Sequence, residues 1–304
     1  MSPHLFNLLL AALFVALTAS CAHRDADILV PPLDRIQSWE ELTASQRKRK
    51  LPLKERFQKG DRVLVFIASK HETSPSSETF RLIREEIAGG ESQLVILEGL
   101  PTRLGLSNPA FLGRAAPRTE NAPSWPGEHS YAAFLARQKG IPFLGGEPSR
   151  RQLQRDLQKK GFTTSDVIYF FMVANVLSHW RQGGTIMTDQ EGYMARALAD
   201  SRRGFQLKET AKLSVERFRR WYALGNGRAF RLGSVSRREC APLKTSPLKT
   251  NRISHAWEQA RNAHLLVLIA KSAEKWKRIL VVYGGGHYLE LQLALRKMFD
   301  KSPK

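Results

Sequence analysis

The feature that most constrains the fold is the alternation of short apolar runs with longer helical stretches. Branched and apolar residues dominate four runs, at residues 62–68, 93–97, 141–144 and 278–283. Runs this short are typical of strands that are buried on both faces. Strands that alternate with helices predict βαβ units, and hence an α/β fold with a largely parallel sheet flanked by helices.

The middle of the chain has a different pattern. Between about residues 150 and 250 the periodicity is helical, with no run of the strand type. We therefore expect one α/β domain over residues 35–304, with a helical cap inserted at about 150–250. At the start of this domain, Ser38 and Glu41 have the spacing of a capping box, which predicts a basic helix to about residue 59.

The first residues have the pattern of an export signal. Residues 1–23 contain no Lys, Arg, Asp or Glu, and an apolar run too short for an ordinary membrane span leads into small residues and Cys21. The placement of Cys21 resembles a bacterial lipobox, in which the cysteine is acylated; the alternative is a plain cleaved signal. We expect a signal peptide at residues 1–20, a lipid-anchored tether at 21–34, and a place in the cell envelope, on its periplasmic side.

The overall charge limits the choice of partners. The formal net charge is +20, from 48 Lys and Arg against 28 Asp and Glu. Such a field attracts anionic envelope polymers and lipid head groups, although a solvated basic surface would have the same composition. Nucleic acid is not an expected partner, because an exported protein rarely meets it and no aromatic–basic motif stands out.

Histidine or glutamate follows each predicted strand. His71 follows the first, Glu98 the second, Glu147 the third and His287 the last, with glycines beside most of them. Because the carboxyl ends of parallel strands meet at one edge of a sheet, where ligands bind, we expect a shared site there. Each residue taken alone has a plain alternative, as a helix cap or a turn residue.

Two imidazoles and a carboxylate in one cleft suit a divalent transition metal such as Mn, Fe, Co or Zn. His71, His287 and Glu98 are the predicted ligands. Glu98 and Glu147 are candidates for general acid or base chemistry, which a histidine and a glutamate can also perform without a metal.

Two further residues lie near this predicted edge. Arg261, in the helix before the last strand, could hold a substrate anion, or it could be one more surface arginine of a basic protein. Glu128 begins a helix, where the helix dipole stabilises a carboxylate, and that alone explains it.

Taken together, these motifs resemble the TraB/TIKI/GumN group of proteins. The shared features are a first strand followed by His71, a second that ends at Glu98, Arg261 in a late helix, and a final Gly-x-x-His that ends at His287. The first motif departs from the group by carrying alanine where glycine is usual. The resemblance spans about residues 62–299. It implies membership of a superfamily that includes erythromycin esterases and ChaN-like haem-binding lipoproteins. It also implies that the protein is a metal-dependent peptidase or other hydrolase, with those four residues at its site.

Three functions are therefore compatible with the sequence. The first is a metal-dependent hydrolase of the cell envelope that cleaves an amide or ester in a peptide or small molecule. The second is a non-catalytic, ChaN-like carrier of haem or metal, for which Tyr131, Tyr283 and Tyr288 are candidate haem ligands. The third is a basic envelope protein that binds anionic polymers.

Overall fold

The computed structural model describes residues 29–102, 124–181, 189–207 and 212–299. The predicted signal peptide and Cys21 lie outside the described residues, as does most of the tether. Among the residues that are described, no helix is both long and apolar enough to cross a bilayer.

A five-stranded sheet forms the centre of the molecule, in the order β1-β2-β5-β3-β4. The strands are β1 Leu53–Lys59, β2 Arg62–Ser69, β3 Leu94–Pro101, β4 Phe143–Glu147 and β5 Arg278–Gly284. Neighbours are parallel except for β1, which pairs antiparallel with β2. The predicted α/β class and the largely parallel sheet are confirmed.

Strand β1 occupies the place of the predicted basic helix, and that prediction is wrong. The capping contact exists, since Glu41 accepts a hydrogen bond from the Ser38 amide at 2.6 Å. The only helix that follows before β1 is the short α1, Ala44–Arg47. Pro52 has no amide to continue a helix, and the next residues alternate in burial, so that Phe57 enters the core opposite Leu64.

Helices cover both faces of the sheet. They are α2 Glu78–Ala88, α3 Glu128–Gln138, α4 Arg150–Lys159, α5 Thr164–Arg181, α6 Gln190–Phe205, α7 Val215–Asn226, α8 Lys249–Lys275 and α9 Gly285–Phe299. Helices α2 and α3 pack on one face, while α9 and the second half of α8 pack on the other. Helix α2 begins after its N-cap residue, Ser77.

A second core lies outside the sheet. Helices α4 to α7 and the first turns of α8 enclose it, and the described residues from 150 to 250 form helices and turns without a strand. Helix α8 has 27 residues and belongs to both cores: Ile253 packs among the helices, and Leu266 packs against the sheet. Its middle therefore passes the edge of the sheet, where the polar residues collect.

Candidate functional site

The carboxyl ends of the parallel strands bring the predicted acidic residues together. Regular pairing between β3 and β4 is interrupted after Leu97, and Glu98 lies at that irregularity. Glu147 is the last residue of β4. The Gly99 amide donates to Glu147 Oε1 at 3.3 Å, and the Gly284 amide at the end of β5 donates to Glu98 Oε2 at 2.6 Å. Backbone groups of the sheet edge thus fix both carboxylates.

Arg261 of α8 joins three carboxylates at this edge. Its Nε donates to Glu147 Oε2 at 2.8 Å, and its Nη2 donates to Glu147 Oε1 at 2.6 Å and to Glu98 Oε1 at 2.8 Å. Its Nη1 lies 3.3 Å from both oxygens of Glu258, one turn earlier in α8. All three guanidinium nitrogens are therefore engaged by carboxylates of the chain itself.

Two of the three acids that contact Arg261, Glu147 and Glu258, have pKa values shifted in opposite directions. Burial would raise the pKa of Glu147, but the Arg261 guanidinium outweighs it, with help from the Tyr283 hydroxyl 2.7 Å away, and the pKa is lowered. Burial raises the pKa of Glu258, and Arg261 offsets this only in part. The edge consequently combines an acid whose pKa is lowered with one whose pKa is raised.

His71 occupies an unusual backbone position just beyond β2. Its φ of 58° lies in the left-handed region, which a residue with a Cβ rarely adopts and which costs about 1–3 kcal/mol. Its Nδ1 lies 2.8 Å from Glu128 Oε1, which also accepts from the Ser69 hydroxyl at 2.7 Å. Burial would raise the pKa of Glu128, but the contact with His71 outweighs it and lowers the pKa. The imidazole itself remains more than half exposed.

Among the described residues, His71, Glu98 and Glu128 form a group that could hold a metal ion. Each offers one ligand atom, and the three atoms lie within 4.8 Å of one another. A Cβ on Gly284 would lie 2.6 Å from His71 Nε2 and 3.1 Å from Glu98 Oε2, so the absence of a side chain at Gly284 allows this close approach. An imidazole with two carboxylates fits Mn, Fe, Co or Zn better than a purely oxygen-ligated ion such as Ca²⁺.

His287, in the first turn of α9, lies on the other side of Glu98. Its Nδ1 lies 2.7 Å from the Asn262 carboxamide oxygen, and Asn262 donates to Glu290 at 2.6 Å. Because an amide oxygen only accepts, Nδ1 carries the hydrogen, and Nε2 presents its lone pair to Glu258 Oε2 at 3.1 Å and Glu98 Oε1 at 3.6 Å. Burial, reinforced by Arg261, lowers the pKa of His287 to about 4, so the ring is neutral at pH 7.

The site opens into a pocket of about 430 Å³. Its walls comprise the following residues: Trp39, His71, Glu98, Ala241, Pro242, Glu258, Arg261, Gly284, Gly286, His287 and Glu290. Burial, and then repulsion from Glu258, raises the pKa of Glu290 to about 8. A volume of this size suits a small molecule or a few residues of a peptide.

The structure brings His71, Glu98, Arg261 and His287 to one pocket. Glu147 lies behind Arg261 and does not line the pocket. Sequence reasoning missed the contributions of Glu128, Glu258, Asn262 and Glu290. Only Asn262, next to Arg261, carried a positional signal; the others depend on contacts between distant segments.

The candidate haem-ligating tyrosines do not line this pocket and lie among the buried side chains; the ring of Tyr283 contacts that of His287 edge-on, with centroids 5.0 Å apart. Each hydroxyl has a polar partner: Tyr131 accepts from Arg84, Tyr283 donates to Glu147 and Tyr288 donates to Glu55. Exposed axial ligation by a tyrosine therefore has no support from these three residues.

Comparison with known proteins gives no relative for this chain: no family model, curated protein or solved structure matches it.

Proposed function

We propose that this chain is a metal-dependent hydrolase in which His71, Glu98 and Glu128 hold a divalent ion at the mouth of the pocket. The observation that carries the proposal is the convergence of these three ligand atoms within 4.8 Å, beside a neutral buried histidine. The resemblance to the TraB/TIKI/GumN group supports the same chemistry. Glu128 joins the ligand set predicted from the sequence, and His287 takes a different part.

A divalent ion at this position would lower the pKa of a bound water, which supplies hydroxide at neutral pH. His287 and Glu258 handle the protons. Neutral His287 can accept at Nε2 the proton that is removed from water, and the Glu258 carboxyl, whose pKa is raised by burial and which lies 3.1 Å from that nitrogen, can give a proton to the leaving group. Amides and esters both require a proton to be removed from water and another to be given to the leaving group.

Arg261 and Glu147 act as positioning residues in this proposal. Arg261 is committed to three carboxylates and so cross-links β3, β4 and α8. This arrangement orients the Glu98 carboxylate towards His71 and Glu128, and the Glu258 carboxyl towards His287. A role for Arg261 in holding a substrate anion would require one of these contacts to break.

The test is metal content. Full-length wild-type protein is purified without chelator or metal-affinity resin, exposed to Mn, Fe, Co and Zn, and dialysed. Its metal content is then measured by elemental analysis. Three variants are treated in the same way: His71→Ala, Glu128→Gln and His287→Ala. Glu274→Gln, an exposed acid in α8, is the matched control. We expect near-stoichiometric metal in the wild type, the control and His287→Ala, and its loss from the two ligand variants.

Hydrolysis of chromogenic peptide anilides and esters is measured on the same samples. We expect His287→Ala to keep its metal and lose activity. Metal absent from the wild type after loading would overturn the proposal, and so would unchanged metal content in both ligand variants. Hydrolysis that survives in His287→Ala would overturn the assignment of proton transfer.

We also propose that the chain is exported and acylated at Cys21, which would keep this site at the surface of an envelope membrane. The support is the sequence pattern of residues 1–21. Metabolic labelling with an alkyne fatty acid should mark the wild type and leave Cys21→Ser unlabelled. Equal labelling of both would contradict the assignment.

A further inference from the structure

Seven arginines lie between residues 217 and 238, a stretch that contains no Asp, Glu or Lys. All seven are exposed, and they are Arg217, Arg219, Arg220, Arg228, Arg231, Arg237 and Arg238. Elsewhere many exposed arginines sit beside acids, as Arg81 does with Glu78 and Arg278 with Glu91. Between Glu216 and Glu239, positive charge thus collects with no acidic residue in between.

Only two of these arginines have a carboxylate partner among the described residues: Arg219 pairs with Glu191, and Arg228 pairs with Glu239. The other five form what we call the arginine face, which consists of Arg217, Arg220, Arg231, Arg237 and Arg238. A guanidinium presents a rigid, planar pair of N–H groups that matches two phosphate oxygens, whereas the ammonium of lysine acts as a point charge. A surface built from arginine alone therefore suits phosphate.

The arginine face forms part of a single folded unit. Tyr222 of α7 donates to Glu239, and Phe230 packs edge-on against Phe218 of α7 at 4.7 Å. The loop after α7 thus folds back on the helix that carries the first two arginines of the face.

An apolar residue lies on the same helix stripe. Leu224 is 80% exposed, and it follows Arg217 and Arg220 at spacings that place all three on one side of α7. Phe218 and Tyr222 occupy the opposite, buried side. An exposed leucine flanked by basic residues is the arrangement of helices that lie in a lipid interface, and a soluble phosphate polymer would gain nothing from it.

We infer that the arginine face and Leu224 form a docking surface for an anionic phospholipid bilayer. The guanidinium groups contact lipid phosphates, and Leu224 enters the boundary between head groups and acyl chains. Each basic residue near such a surface adds attraction that falls off within a Debye length, so binding should weaken as salt rises. This surface is independent of the pocket and of the proposed hydrolysis.

The test is sedimentation of the chain from Ala22 onward with vesicles, so that neither the predicted signal peptide nor acylation plays a part. Vesicles of phosphatidylcholine alone are compared with vesicles that also contain phosphatidylglycerol. One variant neutralises the face: Arg220→Gln, Arg231→Gln, Arg237→Gln and Arg238→Gln. The matched control removes four exposed charges elsewhere: Lys48→Gln, Lys50→Gln, Lys139→Gln and Lys297→Gln.

We expect binding to require phosphatidylglycerol and to fall in high salt. The face variant should lose roughly tenfold or more in partitioning, and the control should lose much less. Leu224→Ser should weaken binding by about threefold without changing its salt dependence.

Equal losses in the face variant and the control would overturn the proposal, and so would equal binding of wild type to both kinds of vesicle. Retention on immobilised polyphosphate by a protein that ignores vesicles would replace the bilayer with a soluble polymer. Circular dichroism of each variant checks that the fold is kept.

Discussion

Arg261 and the arginine face lie in different halves of the molecule and meet opposite surroundings. Arg261 is mostly buried and contacts Glu98, Glu147 and Glu258. The arginines of the face are exposed and, among the described residues, have no carboxylate partner. The sheet edge pairs its charges internally, while the arginine face leaves its charges exposed to solvent.

This difference separates structural charge from charge that is available for binding. A buried guanidinium that is shared by three acids holds their positions, because moving any one of them leaves a charge without a partner in a low-dielectric setting. An exposed guanidinium contributes little to folding and is free to interact with a partner. The two regions should therefore respond in opposite ways to loss of an arginine.

The largest effect is expected from Arg261→Leu. Removing the shared cation leaves Glu98 and Glu147 buried without their partner, and we expect the free energy of unfolding to fall by about 3–5 kcal/mol. Urea denaturation measures it. Arg220→Leu, on the arginine face, is the control and should change stability by less than about 0.5 kcal/mol. Similar losses of stability in Arg261→Leu and Arg220→Leu would contradict the proposed difference between the two regions.

A smaller effect is expected from Glu290, on the way the free energy of unfolding depends on pH. Its pKa is raised from 4.5 to about 8, so the folded protein keeps a proton that the unfolded chain has lost. Stability from this group is present below pH 4.5 and is lost as pH rises through 8. Glu290→Gln keeps the acceptor for Asn262 and should abolish this loss, which is on the order of a few kcal/mol.

Thermal unfolding between mildly acidic and alkaline pH measures the difference between Glu290→Gln and wild type. Glu216→Gln, an exposed acid of α7, should follow the wild-type curve. If Glu290→Gln follows it as well, the pKa of Glu290 is not raised, and this carboxyl does not lower the stability of the sheet edge at alkaline pH.

Asn262→Ala should cost about 1–3 kcal/mol, because His287 and Glu290 each lose a buried partner. Asn251→Ala is the matched control, since Asn251 is also buried in α8 and donates to two backbone carbonyls. Nitrogen-15 NMR of the imidazole rings distinguishes the effects of the Asn262→Ala and Asn251→Ala substitutions. Asn262→Ala should lose the Nδ1-protonated form of His287, and Asn251→Ala should keep it. Loss of that form in both variants would mean that the helix, and not Asn262, orients the ring.

The sequence predicts the sheet edge better than it predicts the contacts within it. Short buried strands are visible in the pattern, and parallel pairing then places His71, Glu98 and His287 together. The role of Glu128 is not visible, because it meets His71 across 57 residues and its place at a helix start already explains it. The strand β1 was missed because the capping spacing at Ser38 indicated a helix.

The arginine face could be predicted only in part. The net charge of +20 indicates a basic surface, but it does not say where the charge is uncompensated. That depends on which arginines have carboxylates beside them after folding, as Arg228 does with Glu239. The exposure of Leu224 likewise depends on which side of α7 packs against the helical core.

The smallest effect on stability is expected from Leu224→Ser. A side chain that is 80% exposed has little apolar surface to lose on unfolding, so the free energy of unfolding should change by less than about 0.5 kcal/mol. Phe218→Ser, on the buried side of the same helix, should cost several times as much. Urea denaturation of both variants measures the contrast. If Leu224→Ser is strongly destabilising, this residue belongs to the core and cannot serve as a membrane contact. If the Leu224→Ser substitution leaves the free energy of unfolding unchanged, the exposed side chain of Leu224 is available to contact a partner, as the arginines around it are.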